Sequence, residues 1–276
     1  MEPIKIMING LPGKVATTLA AHVLEDDRFT IVPFSLTGPE IEKETVNVNG
    51  VNIELIRPDR RDGKITDIKE RYGNMISVDF THPSAVNENC EFYCKNNLPF
   101  VMGTTGGDRK RLEQTVKSSS ICAVIAPNMA KQVVGFQAMI EYAANNFPGL
   151  FAGYSMRVRE SHQKGKADTS GTAKAVVSSF EKLGVKFSED QIEKERDPET
   201  QEKVWGIPRE YLGGHGWHTY TLTSPDGTVK FEFTHNINGR EIYVAGTLDA
   251  VIYLRQKLDH GAKSQVFSMI DVLKGT

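Results

Sequence analysis

Hydrophobic and polar positions change period again and again along the first half of the chain. Residues 4–8 form a short β-rich run, residues 14–24 carry apolar side chains at helical spacing, and residues 29–36 are β-rich once more. Residues 75–80, 99–102 and 121–126 read as further strands, with helices over 84–95 and near 110–116 between them. Such strand–helix alternation predicts an α/β fold with a Rossmann-like, doubly wound parallel sheet. Inside it, residues 46–53 alternate around Asn49-Gly50, the signal of a small hairpin.

Beyond Met129 the texture changes. A long helix over 131–146, an extended run over 153–159 and a hairpin of 220–223 with 229–234 around Pro225-Asp226-Gly227 predict a second α+β domain with an open, largely antiparallel sheet. The charged stretch 189–209 holds Asp197-Pro198 and Ile207-Pro208 and reads as a surface excursion. Helices near 248–257 and 265–273 bring the chain back to the first domain. The expected division is residues 1–129 with 240–276 as a dinucleotide-binding domain, and 130–239 as a substrate-binding and oligomerisation domain.

Composition narrows the partners. A chain of 276 residues with 39% hydrophobic and 25% charged positions is ordinary for a globular protein, and a net charge of −2 gives no footprint for nucleic acid or an anionic membrane. No apolar run approaches membrane-spanning length, and Met1 leads at once into the first strand. The expectation is a cytoplasmic protein, with the plastid stroma as the alternative if a transit peptide has been removed. Three cysteines, Cys90, Cys94 and Cys122, do not make a disulfide framework and read as buried thiols. His215 and His218 resemble a ligand pair, but a three-residue offset on a strand puts them on opposite faces, so no metal is expected.

Chemistry concentrates in Arg159-Glu160-Ser161-His162-Gln163-Lys164-Gly165-Lys166-Ala167-Asp168-Thr169-Ser170-Gly171-Thr172-Ala173. This run reads as the loop between a strand and an amphipathic helix that starts at Thr172. A helix start offers unpaired N–H groups and the positive end of the helix dipole to a carboxylate or phosphate. Ser170 and Thr172 add hydroxyls while Gly171 leaves access open, Lys166 supplies charge, and His162 is a proton donor suited to neutral pH. Asp168 or Ser170 taken alone is an ordinary N-cap; the combination points to a site for an acidic substrate.

A second set of residues suits a dinucleotide. Gly10-Leu11-Pro12-Gly13-Lys14-Val15-Ala16 lies between the first strand and first helix, where a pyrophosphate rests on a helix start, although its Gly-x-x-Gly-x-x-Ala spacing departs from the common fingerprint. Asp79-Phe80-Thr81, Gly103-Thr104-Thr105-Gly106 and Ala126-Pro127-Asn128-Met129 each follow a predicted strand, and loops at the carboxyl ends of parallel strands converge on one crevice. The second strand ends in Phe34-Ser35-Leu36-Thr37 rather than in Asp or Glu. With Lys14 nearby, Ser35 and Thr37 would accept a 2′-phosphate and favour NADPH, with NADH as the alternative.

On these residues the chain resembles the dihydrodipicolinate reductase (4-hydroxy-tetrahydrodipicolinate reductase) family nearly end to end. The match covers Gly10 and Gly13, with Ala16 in place of a glycine, the loops at Asp79, Gly103 and Ala126, and most specifically the stretch from Glu160 to Ala173. Gln163 stands where many bacterial members have a second histidine, and the following loop is one residue shorter, which resembles the plant-type branch, as do residues 213–220 and 268–273. The resemblance implies an oxidoreductase of lysine and diaminopimelate biosynthesis that reduces 4-hydroxy-tetrahydrodipicolinate, or the dihydrodipicolinate formed from it, to tetrahydrodipicolinate. His162 and Lys166 would then be catalytic, and Gln163, Ser170, Gly171 and Thr172 would bind the dicarboxylate. Cofactor binding would fall to Gly10, Gly13, Lys14, Val15, Ser35, Thr37, Asp79, Phe80, Thr81, Gly103, Thr104, Thr105, Ala126, Pro127, Asn128 and Met129. A homo-oligomer, tetramer or dimer, is implied as well. The rivals are another NADPH-linked reductase of amino-acid metabolism and a non-catalytic NADPH-sensing protein. Cysteines confined to predicted helix and strand interiors speak against an acyl-enzyme route, and the presence of His162 with Lys166 speaks against the sensor.

Overall fold

The computed structural model, which describes residues 2–275, begins with β1 (Ile4–Asn9), whose last four residues are buried, as a strand inside a parallel sheet requires. A glycine turn leads into α1 (Lys14–Leu24). The single strand expected over 29–36 is two, β2 (Phe29–Ile31) and β3 (Phe34–Leu36). Pro33 has no N–H for a ladder and splits the run: β2 pairs with β1, whereas β3 leaves for a small sheet. That sheet is completed by β4 (Thr45–Val48) and β5 (Val51–Ile56), the expected hairpin, with Asn49 and Gly50 at φ of 45° and 87° as its tight turn demands.

The alternation continues through α2 (Arg61–Tyr72), β6 (Met75–Asp79), α3 (Val86–Lys95), β7 (Phe100–Met102), α4 (Arg109–Lys117) and β8 (Cys122–Ile125). Only Ile65 and Ile68 of α2 are buried, a stripe too thin to stand out in the sequence. The next unit comprises α5 (Lys131–Asn146), β9 (Ser155–His162), α6 (Gly171–Lys182), β10 (Glu193–Glu195), α7 (Pro198–Lys203), β11 (His215–Thr223) and β12 (Lys230–Asn238). The chain then returns through α8 (Glu241–Asp259), β13 (Gln265–Phe267) and α9 (Met269–Gly275). Residues 265–273, expected as one helix, are thus a strand and a short helix. Gln265, Val266 and Phe267 pair with β8, and Ser268 ends the strand by accepting from the Asp271 N–H at 3.3 Å.

By compactness the chain divides into Met1–Lys131 with Glu241–Thr276, and Gln132–Arg240. The first unit holds a six-stranded sheet in the order β13-β8-β7-β6-β1-β2, every pair parallel, above a core that includes Met7, Tyr93, Phe100, Met102 and Leu112. The second holds a four-stranded sheet, β10-β9-β11-β12, with β10 and β9 parallel and the remaining pairs antiparallel. There Val158, Tyr220 and Leu222 from the sheet join Ile140 of α5 and Val176, Val177 and Phe180 of α6 in one apolar cluster. Residues pointing the other way on β12 are exposed, the alternation of a sheet with one covered face.

One close approach in the first unit has no slack. At Gly246, buried in α8, an added Cβ would fall onto the carbonyl oxygen of Met129, in the loop after β8, and 3.1 Å from its carbonyl carbon. Backbone cannot yield as a flexible side chain does. Gly246→Ala is therefore expected to destabilise the protein by about 1–3 kcal/mol, the usual cost of overpacking, and to lower the midpoint of chemical denaturation. An unchanged midpoint would show that the loop yields without strain.

Candidate active site

The carboxyl edge of the parallel sheet is a row in register. Asn9 lies beside Asp79, Asp79 beside Met102 and Met102 beside Ile125, so the loops that follow β1, β6, β7 and β8 leave side by side. They are tied by backbone bonds from Phe80 N–H to the Asn9 carbonyl (3.0 Å), Gly103 N–H to the Asp79 carbonyl (3.0 Å) and Ala126 N–H to the Met102 carbonyl (3.0 Å). Glycine is required twice. Gly10, at φ 102°, would drive a Cβ into the Phe80 carbonyl, and a Cβ on Gly103 would enter the Phe80 ring. Gly13 caps α1 without any side-chain hydrogen bond, and the first turn of the helix carries no acidic residue, so its N–H groups and Lys14 are left for an anion. The arrangement fits a dinucleotide pyrophosphate.

Two groups of sequence candidates turn out to shape these loops instead of facing a ligand. Ser35 is fully buried, accepting from the Leu11 N–H at 3.2 Å, and the Thr37 hydroxyl donates to the Leu11 carbonyl at 2.7 Å. Their hydroxyls hold the glycine turn in place, which corrects the reading of both as receptors for a 2′-phosphate. Just past β3, Glu40 folds its carboxylate back over Gly38. This puts a carboxylate near the strand end where the sequence showed none. Asp79 likewise is fully buried, and its carboxylate accepts from Thr81 N–H (3.1 Å), Thr81 Oγ1 (2.8 Å), Thr104 Oγ1 (2.6 Å), Asn89 Nδ2 (3.0 Å) and Tyr93 OH (2.7 Å). It acts on the loops from behind, not as a direct contact. Burial, followed by the Asp79 charge, pushes the Tyr93 hydroxyl well above its ordinary pKa and keeps it a donor.

In the second unit β9 runs on to His162, so Glu160, Ser161 and His162 belong to a strand and not to the expected loop. Strand alternation then puts Val158, Glu160 and His162 on one face and Arg157, Arg159 and Ser161 on the other. Across β11, His218 stands opposite Glu160 and Gly216 opposite His162; across β12, His235 stands opposite His218. Gly216 leaves room for the imidazole, since a Cβ there would come within 3.0 Å of His162 Cε1. His215 and His218 do face opposite ways: the His215 ring bonds Ser161 Oγ at 2.9 Å, while His218 turns to Glu160 and His162.

Glu160 is the anchor. Its fully buried carboxylate is ion-paired through Oε1 with Arg196, accepts the Ser170 N–H on Oε2 at 3.1 Å, and lies 3.7 Å from His218 Nε2. Burial alone would raise its pKa, but the nearby His218 ring, the Arg196 guanidinium and the Ser170 N–H outweigh that and hold the carboxyl well below its ordinary range. Arg196 comes from the stretch 189–209, which is therefore part of the site and not merely a surface excursion. It also donates to the Lys166 carbonyl at 2.6 Å. Asp197 caps α7 by accepting the Thr200 N–H at 2.8 Å, with Pro198 in the first turn, and this delivers the buried Gln201 to donate to the His162 carbonyl at 2.7 Å. Asp197-Pro198 carried this signal in the sequence as a helix start, though it reads equally as a turn.

His162 Nδ1 lies 3.1 Å from the His215 carbonyl oxygen and its Nε2 3.3 Å from His218 Nε2. Burial first, then the charge of His218, lower its pKa below the ordinary value against the pull of Glu160, so the ring is neutral at neutral pH. Lys166 holds a partly buried ammonium 2.9 Å from the exposed carboxylate of Asp168. Ser170 stands at the N-cap of α6 without a side-chain cap bond, and a Cβ on Gly171 would meet nothing within 4 Å. With Thr172 in the first turn, the helix start remains open to an anion. Gln163 closes the turn before Lys166, its carbonyl accepting the Lys166 N–H at 2.9 Å.

Glu160, His162 and His218 bring ligand-type atoms within 4.8 Å of one another. Both oxygens of Glu160 are already engaged, and Arg196 and Lys166 add positive charge beside them. The charge of Glu160 is thus already matched within the protein, which disfavours a cation there.

Taken unit by unit, the chain has the parts of a dinucleotide-linked reductase for an acidic substrate. Comparison with known proteins narrows that class. Residues 4–129 match the family model Dihydrodipicolinate reductase, N-terminus, and residues 132–273 match Dihydrodipicolinate reductase, C-terminus; the chain belongs to the dihydrodipicolinate reductase family. It is 50% identical to 4-hydroxy-tetrahydrodipicolinate reductase 2, chloroplastic, of Arabidopsis thaliana over 98% of this chain and 77% of that one. It is 46% identical to the probable 4-hydroxy-tetrahydrodipicolinate reductase 1, chloroplastic, of Oryza sativa subsp. japonica over 98% and 78%. The fold matches the dipicolinate-bound dihydrodipicolinate reductase from Paenisporosarcina sp. TG-14 with a TM-score of 0.67 and 18% identity, covering 98% of each chain. Among the described residues no helix is long and apolar enough to cross a membrane.

The Glu160–Arg196 pair sets a stability test with a defined sign. Glu160 titrates lower in the folded than in the unfolded protein, so its contribution is present above the unfolded carboxyl pKa of about 4.3 and is lost as pH falls through the folded value. Arg196→Ala leaves that charge buried and uncompensated and should cost about 3–5 kcal/mol at pH 7. Denaturant unfolding at two pH values checks it: the penalty should shrink near pH 4, and adding Glu160→Gln to Arg196→Ala should recover part of the loss.

Proposed function

We propose that this chain reduces 4-hydroxy-tetrahydrodipicolinate, or the dihydrodipicolinate formed from it by loss of water, to tetrahydrodipicolinate in lysine and diaminopimelate biosynthesis. The observation that carries the reading is His162, a neutral imidazole fixed at the end of β9 next to Lys166 and the open start of α6. A bound reduced nicotinamide supplies the hydride. The protein's task is to hold two carboxylates, exclude water and deliver one proton. His162 delivers it as general acid, Lys166 takes one carboxylate after Asp168 moves aside, and Ser170, Gly171 and Thr172 with the α6 dipole take another, with Gln163 beside them.

NADPH and NADH both suit the first unit. Lys14 at the glycine turn favours extra phosphate, whereas Glu40 supplies a carboxylate for a ribose hydroxyl. The buried free thiols Cys90, Cys94 and Cys122 fit a reducing compartment, cytoplasm or plastid stroma, and the plant relatives are named chloroplastic. A homo-oligomer, dimer or tetramer, is supported by Met139 and Tyr142, large apolar side chains of α5 that are 65% and 64% exposed.

The direct test is oxidation of NADPH or NADH by the purified chain, supplied with freshly made dihydrodipicolinate synthase product. Turnover is expected, and its absence with both cofactors would favour another reductase of amino-acid metabolism. In that assay His162→Gln should lower kcat by roughly 10²–10⁴-fold with little change in cofactor affinity. Lys166→Ala should lose kcat and raise KM as well, because its contact to a carboxylate exists already in the ground state. Near-wild-type kcat in folded His162→Gln would remove His162 from the chemistry.

A dianionic mimic, pyridine-2,6-dicarboxylate, gives a second test. Burial and neighbouring cations hold His162 neutral; two carboxylates brought beside it act in the opposite direction and raise its pKa. Binding that raises a pKa takes up a proton, so affinity should increase as pH falls below the bound-state value, with a limiting slope of about one log unit per pH unit. Titration calorimetry between pH 5.5 and 8 measures this, and a flat profile would rule out proton uptake at His162.

A further inference from the structure

Each reduction consumes one proton, and the groups around His162 fix where that proton waits. The His215 carbonyl oxygen, 3.1 Å from His162 Nδ1, can only accept, so Nδ1 carries hydrogen and neutral His162 presents a lone pair at Nε2. That lone pair lies 3.3 Å from Nε2 of His218. Two bare lone pairs at this distance repel, so the hydrogen between them belongs to His218. The other ring nitrogen of His218, Nδ1, is then a buried acceptor, and it has no protein partner.

We propose that His162 and His218 work as one proton-sharing pair, in which His218 is the positioning residue that loads Nε2 of His162 for transfer to the substrate. The inference rests on the reductase reading above. The atoms balance as follows. Solvent that reaches the buried Nδ1 of His218 gives it a proton, the Nε2–H bond of His218 breaks as the one on His162 Nε2 forms, and the His162 ring then turns that N–H from His218 to the substrate, which takes the proton as it accepts hydride. The pair is left with one hydrogen on each ring, and solvent exchange returns the His218 hydrogen to Nε2.

The surroundings favour sharing over capture by a third group. On β9, Glu160 faces His218 with its charge matched by Arg196. From the loop before α6 comes Lys166, and the Ser170 N–H at the helix start is committed to Glu160. On β11, burial followed by the Glu160 charge raises the pKa of Tyr220, which holds its proton. On β12, the His235 ring stacks on His218 with centroids 4.6 Å apart, and burial, then the charge of His218, lower its pKa to about 4, leaving it neutral. The ring of Phe136 on α5 lies against His235 and is uncharged. A negative substrate therefore recruits its compensating proton to the two imidazoles.

His218→Gln tests the pair, because glutamine keeps an N–H donor towards His162 but cannot take up a proton. The expected result is a kcat lowered by about 10-fold or more, with a loss that deepens as pH rises, while KM and the affinity for pyridine-2,6-dicarboxylate change by less than about 3-fold. Imidazole ¹⁵N shifts of the wild-type protein with pyridine-2,6-dicarboxylate bound supply a readout that needs neither turnover nor a folded variant. His162 and His218 should titrate together, in coupled steps. Independent titration, or wild-type kcat and pH profile in His218→Gln, overturns the proposal. So does a parallel loss of dicarboxylate affinity, the mark of a purely structural role. Coupled titration in a protein that turns over neither cofactor would sink the reductase reading and leave the pair standing.

Discussion

A carboxylate taken out of water must be surrounded by donors, and in each unit of this chain one such carboxylate decides where the functional loops lie. Glu160 gathers Arg196, the Ser170 N–H and His218 from three separate segments, and so fixes the helix start, the 189–209 stretch and the imidazoles relative to one another. Asp79 does the same for the loops after β6 and β7 through Thr81, Thr104, Asn89 and Tyr93. Neither group needs to touch a ligand for the site to depend on it. Loss of such a group leaves several donors orphaned at once, which is why its effect is larger than that of any single hydrogen bond.

What could be read from the sequence was what local period and turn chemistry dictate. Strand–helix alternation gave the parallel sheet, Asn49-Gly50 gave the hairpin, and the sequence around Ser170 gave the helix start. Pro33 was visible too, and its missing N–H explains the broken second strand. Residues 265–273 misled because Val266 and Phe267 suit a buried strand and a buried helix face equally, and only pairing with β8 decides. The extension of β9 to His162 was hidden because its inward residues are charged or polar, whereas the strand signal expects apolar ones.

Of the candidate site, the sequence offered His162, Lys166 and the glycine turn but no sign of Arg196, Gln201 and His218 beside them. These three act by converging from distant positions on Glu160 and His162, and no spacing rule encodes that. Ser35 and Thr37 show the reverse error. A hydroxyl at a strand end is a reasonable ligand for phosphate, but here the buried backbone of the glycine turn claims both hydroxyls first.

The ion pair between Lys166 and Asp168 has a consequence for selectivity. Asp168 is 77% exposed on its side chain, so it leaves Lys166 at little cost. A carboxylate that binds Lys166 as proposed therefore enters an exchange equilibrium, with the chain's own carboxylate as the resident competitor. A monoanion would merely replace one partner of Lys166 by another, at the added entropic cost of association. A dianion recovers that exchange and adds the helix start of α6. On the binding role proposed for Lys166, the chain's own side chain thus sets a threshold that favours a ligand with two suitably spaced charges over a small monocarboxylate.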